Sequence, residues 1–231
     1  MAYDHSQTYR SFKLRNIPHP LRIRKIKSVL SQFTTGNVNS YADFGCSTAY
    51  LTNLVAGHIG ATDVYGFDHS QEHLDAGKGK YPNITFAAVD LNKEEPADKT
   101  FDFVTCFETF EHVGELQNAV MHVESAINKG GSALFVVPLE SGFRGTIKFL
   151  LKTIIYRYKL NELDETAGFY KTYLGSLMKG EQMSKYRQPT RSHWGTHFGF
   201  EAKDVDAILA TNKCDFKAFN AGFNRFYLIR K

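Results

Sequence analysis

The sequence has little of several features that would assign a protein to a class at once. Its 231 residues include three cysteines and one tryptophan, and the formal net charge is only +4. Cys46, Cys106 and Cys214 are an odd number without ligand-like spacing, which argues against a disulfide framework and against a zinc site. A reducing environment is therefore expected, and we expect the protein to be cytoplasmic.

Long apolar runs are also missing. No run approaches the roughly 20 residues needed to cross a bilayer, and the first residues lack the charged start and apolar core of a signal peptide. A net charge of +4 does not by itself indicate a nucleic-acid partner, for which a clustered basic stripe would be expected. The 42% of hydrophobic residues is enough for one well-buried domain.

The most informative motif is a strand that ends in Asp-x-Gly at the start of a helix. Residues 38–44 suit a buried strand, and Gly45 leaves room for a ligand to approach the backbone. Ser47 or Thr48 is expected to cap the following helix. About twenty residues later a second strand ends at Asp68, where a doubly wound fold binds the ribose hydroxyls of a nucleoside.

Together these motifs resemble the class I S-adenosylmethionine-dependent methyltransferases, whose first motif is Asp/Glu-x-Gly-x-Gly-x-Gly. The resemblance continues through a third strand ending at Asp90, a fourth ending at Glu108, and a fifth following Gly130-Gly131. It implies an α/β fold with a doubly wound, mostly parallel sheet of the Rossmann-like methyltransferase type. A helical insertion would follow the fifth strand, and an antiparallel hairpin would end the chain.

The sequence departs from this family pattern at two positions. Ser47 and Ala49 stand where the family often has its second and third glycines. Both residues are small, so a tight turn remains possible, although Ser47 would narrow the space beside the methionine moiety. A dinucleotide-binding dehydrogenase is the competing interpretation, but the Gly-x-Gly-x-x-Gly turn that delivers a pyrophosphate to a helix is absent.

The resemblance also implies which residues contact the cofactor S-adenosylmethionine. Positions at the ends of four strands match those at which the family binds the cofactor. They are Asp43, Gly45, Cys46 and Ser47 at the first turn, Asp68 and His69 at the ribose, Asp90 and Leu91 at the adenine, and Phe107 and Glu108 beside the methionine.

Candidate catalytic residues follow the fourth strand. His112 could take a proton from an acceptor hydroxyl, and Glu111 and His193 are further candidates. Glu108-x-x-Glu111-His112 also resembles the metal-binding motif of ubiquinone-pathway O-methyltransferases and of small-RNA 2′-O-methyltransferases. His193 or His197 would have to complete such a site, and the alternative role of the motif is to pack the following helix. We predict no resident metal.

The chain reads as a single domain, 1–231, with two additions. Residues 1–36 are predicted to form an N-terminal helical cap whose apolar face docks on the domain. Residues 139–200 form an insertion expected to recognise the acceptor, because this segment is far longer than a usual loop. Residues 215–219 and 225–229 predict a closing hairpin.

Within the insertion, residues 143–160 are predicted to form a helix with one basic stripe. The stripe consists of Arg144, Lys148, Lys152 and Lys159. Such a helix could contact an anionic membrane or a phosphorylated ligand, or it could pack on the domain with its lysines in water. Residues 170–197 have weak periodicity and are predicted to be a mobile lid or pocket wall.

The leading hypothesis is therefore a methyltransferase that acts on a small-molecule, glycan-linked or lipid-linked acceptor, at an oxygen atom. One alternative is a metal-assisted RNA or catechol O-methyltransferase. The other is a non-catalytic protein that binds S-adenosylmethionine. The sequence leaves the acceptor, the metal dependence and the oligomeric state open.

Overall fold

A computed structural model describes residues 18–33, 38–93, 99–156, 168–187 and 198–231. Within these ranges strands and helices alternate up to the fifth strand. The elements are α1 (Pro18–Phe33), β1 (Ser40–Phe44), α2 (Tyr50–Ile59), β2 (Asp63–Asp68), α3 (Gln71–Lys80), β3 (Ile84–Ala88), β4 (Phe101–Phe107), α4 (Leu116–Ser125), β5 (Ile127–Pro138), α5 (Gly142–Tyr156), α6 (Gly168–Lys179), a 3₁₀ turn (Met183–Tyr186), α7 (Ala202–Thr211), β6 (Asp215–Ala221) and β7 (Asn224–Arg230).

The seven strands form one sheet in the order β3-β2-β1-β4-β5-β7-β6. Strands β1 to β5 are parallel, whereas β7 is antiparallel to both β5 and β6. The predicted hairpin is present, and Ala221 pairs with Asn224 across a two-residue turn in which Gly222 has a φ of 58°. The predicted fold class is therefore confirmed. The strand order reverses between β1 and β4, which is where ligands bind in open α/β sheets.

The central strands are apolar on both faces because helices cover both sides of the sheet. On one side, Val104 and Phe135 pack with Val123 of α4 and Val205 of α7. The other side is filled by a second cluster drawn from α1, α2 and the alternate strand positions. Its fully buried members are Ile26, Leu30, Tyr41, Ala49, Val55, Phe103, Leu134 and Val136. Helix α1 therefore docks through the apolar face predicted for the N-terminal cap.

Two local predictions were wrong. The fifth strand was predicted to follow Gly130-Gly131 but begins at Ile127, because α4 ends at Ser125 and Ile127 already pairs with Phe101 of β4. The register shifts just beyond that pair, and the two glycines lie inside β5 instead of preceding it. The predicted cap of α2 by Ser47 or Thr48 is also absent, since the N-cap residue is Ala49 in a left-handed conformation without a side-chain hydrogen bond.

The insertion contains more regular structure than its periodicity indicated. Helix α5 ends at Tyr156, and residues 157–167 lie outside the described ranges. Residues 168–179 form helix α6, which includes the first ten residues of the segment 170–197 predicted to be a lid or pocket wall. A small apolar cluster, Phe169, Tyr173, Leu177, Met183 and Phe198, holds α6, the 3₁₀ turn and the returning chain together. Phe169, Tyr173 and Leu177 are spaced by four residues, so one apolar face of α6 packs against Met183 and Phe198.

Among the helices in the described ranges, none is both long enough and apolar enough to span a membrane.

Candidate functional site

A cavity of about 400 Å³ opens at the carboxyl ends of β1, β2 and β4. Its lining residues come from α1, from the turns after β1 and β2, from the segment after β3, and from the segment after β4. Among the described residues of the insertion, none lines it. We name two parts of the lining. The first-motif wall comprises residues 43–48, 50, 51, 67–69 and 73, and the fourth-strand wall comprises Arg22, residues 107–109, Glu111 and His112.

The turn after β1 keeps the backbone of a glycine-rich loop although it has only one glycine. Gly45, Ser47 and Ala49 have φ values of 79°, 50° and 60°, all in the left-handed region. This conformation costs L-residues roughly 1–2 kcal/mol each, so the surrounding structure must impose it. The amides of Gly45 and Cys46 both donate to the Phe67 carbonyl, at 2.7 and 2.9 Å, which fixes the turn against β2.

Gly45 is required by a protein contact as well as by the expected ligand. A Cβ atom added there would lie 2.0 Å from Oγ1 of Thr109. The Thr109 hydroxyl donates to the Phe107 carbonyl at 3.1 Å, so its side chain is folded back over the turn. The first-motif wall and the fourth-strand wall therefore meet at Gly45 and Thr109.

Asp43 is a buried member of a hydroxyl network. Thr52 and Thr105 each donate a hydrogen bond to its carboxylate, at 2.6 and 2.7 Å. The Tyr41 hydroxyl lies 2.6 Å from that of Thr105. Burial raises the pKa of Asp43 to about 6, although both threonine hydrogen bonds favour the ionised form. Asp43 lines the cavity, but its main partners are side chains of the neighbouring strand and helix.

Asp68 lies at the end of β2, as predicted. Its carboxylate accepts hydrogen bonds from the amides of Ser47 and Ser70, at 2.8 and 2.9 Å. His69 and His73 place ring nitrogens 3.3 and 3.9 Å from the same carboxylate. Burial alone would raise the pKa of Asp68, but the hydrogen bonds from His69 and the two amides outweigh it and lower the pKa. An ionised acceptor is thus held at the cavity.

The third strand supplies apolar surface to the cavity. Asp90, predicted to contact the adenine, is not on the cavity lining, and its carboxylate accepts from the amide and side chain of Asn92 at 3.1 and 3.0 Å. Val89 and Leu91 line the cavity instead. The predicted residue Leu91 is therefore in place, whereas Asp90 stabilises the turn beside it.

Two further predicted contacts, Cys46 and Phe107, line the cavity. The thiol of Cys46 is buried, and burial raises its pKa well above the usual value. A Cβ atom on Gly66 would lie 2.9 Å from this sulfur, so the thiol packs against β2. Cys46 therefore contributes shape rather than a thiolate.

Glu108 is held by residues that are distant in the sequence. It forms an ion pair with Arg22 of α1 and accepts a hydrogen bond from Asn224 of β7 at 2.7 Å. Its φ of 49° is left-handed, which turns the chain out of β4. Burial alone would raise the pKa of Glu108, but the charge of Arg22, followed by that of Lys148, lowers it to about 2.

Glu111 and His112 complete the fourth-strand wall. Glu111 is fully buried, and burial, together with the negative charge of Glu108, raises its pKa well above the usual value. His112 is 40% exposed, and its Nε2 lies 4.0 Å from a Glu111 oxygen. The structure thus brings Glu108, Glu111 and His112 together. The predicted residue His193 and its alternative His197 lie outside the described residues.

Within the described ranges, no group of three or more His, Cys, Asp or Glu side chains is arranged to hold a metal ion.

Arg22 is a cavity residue that the sequence analysis did not identify. The N-terminal helix was predicted only to dock through an apolar face, yet the Arg22 side chain is 8% exposed and lines the cavity. Arg22, Ile26 and Leu30 are spaced by four residues, which places them on one face of α1. That spacing could have identified Arg22. Thr109 gave no comparable signal, because its contact with Gly45 joins two different strand ends.

The doubly wound sheet, the cavity at its switch point and the ionised carboxylate after β2 define the class I methyltransferase type of nucleoside-binding protein. A family model described as a methyltransferase domain matches residues 18–202. The chain belongs to this family, and S-adenosylmethionine is its cosubstrate.

Curated relatives are similar at low identity. The ubiquinone biosynthesis O-methyltransferase of Coxiella burnetii (strain RSA 331 / Henzerling II) is 26% identical over 195 residues, covering 82% of this chain and 74% of that protein. The putative methyltransferase 235L of Invertebrate iridescent virus 6 is 26% identical over 111 residues, 48% of this chain. That match spans 41% of the viral protein, less than half its length.

Solved structures show the same fold. Magnesium protoporphyrin IX methyltransferase from Synechocystis PCC 6803 with bound SAH aligns with a TM-score of 0.57 at 16% identity, over 94% of this chain and 85% of that chain. The PH0226 protein from Pyrococcus horikoshii OT3 aligns with a TM-score of 0.58 at 14% identity, over 99% of both chains.

Proposed function

We propose that this protein transfers a methyl group from S-adenosylmethionine to an oxygen atom of a small-molecule acceptor. The observation that carries the proposal is that His112 and the ionised Glu108 line the same cavity as Asp68. A candidate proton acceptor therefore shares one cavity with a candidate ribose site.

The residues of the cavity fit the cosubstrate. The Asp68 carboxylate has the charge needed to accept ribose hydroxyls, and Val89 and Leu91 offer apolar surface for the adenine. The turn at Gly45 leaves its backbone open on the cavity wall. A volume of about 400 Å³ lies within the 300–1,000 Å³ typical of small-molecule sites.

Methyl transfer requires the protein mainly to align the acceptor hydroxyl with the methyl group of the cosubstrate. S-adenosylmethionine supplies a methyl group on a sulfonium, which is already a good leaving group. His112 is placed to accept the proton of the acceptor hydroxyl as the new O–C bond forms. Burial and the negative charge of Glu108 raise the pKa of Glu111 well above its usual value, which favours the protonated form of this carboxyl beside His112. Glu108 and Arg22 fix the charge of the adjoining wall.

Two similarities support oxygen as the methylated atom and a small acceptor. The relative with the broadest coverage among those described above is named an O-methyltransferase of ubiquinone biosynthesis. A second relative, the trans-aconitate 2-methyltransferase of Rhizobium leguminosarum bv. trifolii (strain WSM2304), is 30% identical over 83 residues, 35% of this chain and 32% of that protein. A glycan- or lipid-linked acceptor and the cytoplasmic location remain predictions.

The test is acceptor screening with methyl-labelled S-adenosylmethionine, using catechols, phenols and small hydroxy acids. We expect turnover of at least one hydroxyl compound. His112→Ala should lower kcat by roughly 10²–10⁴-fold while leaving cosubstrate affinity within a few-fold of wild type. His58→Ala is the control, because His58 lies on α2 and hydrogen-bonds Ser31 outside the cavity.

The same screen addresses the alternatives. Loss of turnover with a chelator, restored by a divalent ion, would support the metal-assisted enzyme. Tight binding of S-adenosylmethionine without transfer to any acceptor would support the non-catalytic protein. Full activity in His112→Ala would refute the proposed role of His112.

A further inference from the structure

Arg187 connects the insertion to the fourth-strand wall. It directly follows the 3₁₀ turn, and its guanidinium reaches the segment that links β4 to α4. One nitrogen, Nη2, donates to the carbonyls of Phe110 and Val113, at 3.2 and 2.5 Å. These two carbonyls bracket Glu111 and His112 in the sequence.

The base of Arg187 is itself held firmly. Its amide donates to the Ser184 carbonyl at 2.9 Å. Gly199 has a φ of 77°, and a Cβ atom there would lie 2.4 Å from the Arg187 nitrogen, so the returning chain packs directly on this residue. The guanidinium also lies 5.4 Å from the ring of Phe200. Because the backbone of Arg187 is fixed in this way, a shift of the carbonyls that its guanidinium binds would be passed to the 3₁₀ turn.

The 3₁₀ turn that precedes Arg187 is joined to the rest of the domain. The amide of Met183 donates to the buried carboxylate of Glu201 at 2.9 Å, immediately before α7. Met183 also belongs to the apolar cluster that contains Tyr173 of α6. A displacement of α6 would therefore move the 3₁₀ turn and, with it, Arg187.

The far end of Arg187 contacts carbonyls of buried residues. Phe110 and Val113 are fully buried in the core beneath α4. The chain between them cannot pack elsewhere without breaking the two hydrogen bonds. Burial lowers the pKa of Arg187, and the charge of Glu111 acts in the opposite sense. The guanidinium remains charged, because its ordinary pKa exceeds 12.

We propose that Arg187 is a positioning residue that couples cosubstrate binding at residues 107–112 to the acceptor-recognising insertion. The inference rests on the proposed function, since it assigns the 107–112 segment to the cosubstrate cavity. Binding that rigidifies this segment holds the Phe110 and Val113 carbonyls in place. Arg187 then holds the 3₁₀ turn and α6, so the acceptor site is ordered after the cosubstrate binds.

The experiment is amide hydrogen exchange with and without S-adenosylhomocysteine. In the wild-type chain the ligand should slow exchange at 108–114 and also at 183–187, the latter by at least about fivefold, the lower end of typical coupling. In Arg187→Met the first effect should persist and the second should disappear. Arg187→Lys keeps the charge and one donor, so it should restore part of the second effect.

Lys185→Met is the matched control. Lys185 lies on the same 3₁₀ turn, but its ammonium pairs with the exposed Glu181. It should behave as wild type. A purely structural role for Arg187 would raise exchange at 183–187 in the free protein without removing the response to ligand.

The outcomes separate this inference from the proposed function. Wild-type protein that binds S-adenosylhomocysteine by calorimetry but shows no protection at 183–187 would overturn the coupling, even if Arg187→Met does not fold. Absence of binding to the wild type would instead overturn the proposed function. Retention of the full response in Arg187→Met would also refute the role of Arg187.

Discussion

The first-motif wall and the fourth-strand wall serve one cavity but are constructed differently. On the first-motif wall, Asp68 is held by amides of its own turn and of the turn after β1. On the fourth-strand wall, Glu108 is held by Asn224, 116 residues away, and by Arg22 from the first helix. The amides that hold Asp68 lie within 21 residues of it in the sequence, whereas the partners of Glu108 reach it only in the completed fold.

The two walls also differ in how they set charge. Asp68 is ionised because hydrogen bonds outweigh its burial. On the fourth-strand wall, Glu108 and Glu111 lie three residues apart with opposite pKa shifts, because the charge of Arg22 lowers the pKa of Glu108, whereas burial and the charge of Glu108 raise the pKa of Glu111. The pKa shifts of two neighbouring glutamates can therefore be told apart only when their three-dimensional partners are known.

The largest expected effect comes from a substitution at Gly45, where the first-motif wall meets Thr109 of the fourth-strand wall. Gly45→Val would place a branched side chain at a φ of 79° and against Thr109. We expect affinity for S-adenosylhomocysteine, measured by calorimetry, to fall by about 100-fold or more, which is roughly 3 kcal/mol. Gly57→Ala is the control, because a Cβ atom there meets nothing within 4 Å. Undiminished binding by folded Gly45→Val would contradict the contact.

Asp43 tests whether the buried carboxylate in the first-motif wall lowers the free energy of unfolding when it is ionised. Its pKa is about 6 in the folded chain and about 3.9 when unfolded, so the folded state binds the extra proton between these values. The stability contributed by protonated Asp43 is therefore lost as pH rises from about 4 to 6. A shift of two units corresponds to about 3 kcal/mol.

Asp43→Asn removes this titration but keeps the shape. We expect the difference in free energy of unfolding between the variant and wild type to move in favour of the variant as pH rises through that range. Urea denaturation at several pH values measures it. A difference that stays constant from pH 4 to 7 would show that Asp43 titrates normally.

Asp68→Ala sharpens the comparison at the ribose side. We expect cosubstrate binding to weaken by about 1–3 kcal/mol, because ribose hydroxyls would lose a charged acceptor. Asp75→Ala, an exposed carboxylate on α3 that pairs with Lys78, should leave binding unchanged. Calorimetry at constant salt separates the two. Equal affinity in folded Asp68→Ala and wild type would remove the assignment of the second strand.

The smallest effect is expected at the basic stripe of the insertion. Replacing Arg144, Lys148, Lys152 and Lys159 by Gln should weaken binding to anionic vesicles by about 1 kcal/mol per engaged residue, and less at high salt. Lys148 pairs with Glu140 at 2.7 Å and Arg144 donates to the Gly222 carbonyl at 3.1 Å, so both already have partners within the domain. Unchanged vesicle binding would end the membrane hypothesis.

The sequence was sufficient to locate those parts of the site that are formed by residues close together along the chain. Strand ends at Asp43, Asp68 and Glu108 were located because parallel strands place their carboxyl ends at one edge of the sheet. Asp90, at the end of the third strand, accepts a hydrogen bond from Asn92 of its own turn, and its contact with the adenine stays a prediction, because a strand-end carboxylate can face either a ligand or its own turn. Sequence spacing alone does not distinguish these two geometries.

Long-range contacts explain what was missed. Arg187 lies 74 residues from the Val113 carbonyl it binds, and no local pattern indicates that pairing. Helix α6, in contrast, had a local signal, because Phe169, Tyr173 and Leu177 are spaced by four residues and share one face of a helix. The residues that this face packs against, Met183 and Phe198, are brought to it by the tertiary structure.

The turn at Ser47 and Ala49 has a consequence for how related chains are found. Both residues adopt φ values that glycine reaches freely, so the loop keeps the backbone conformation of a glycine-rich turn without its second and third glycines. A search that demands three glycines would reject this chain. Replacing Ala49 by Gly should stabilise the fold, because the roughly 1–2 kcal/mol cost of the left-handed conformation that it removes exceeds the roughly 0.4–1 kcal/mol that glycine costs through the greater freedom of the unfolded chain. Serine and alanine at these two positions therefore keep the shape of the loop at a cost in stability.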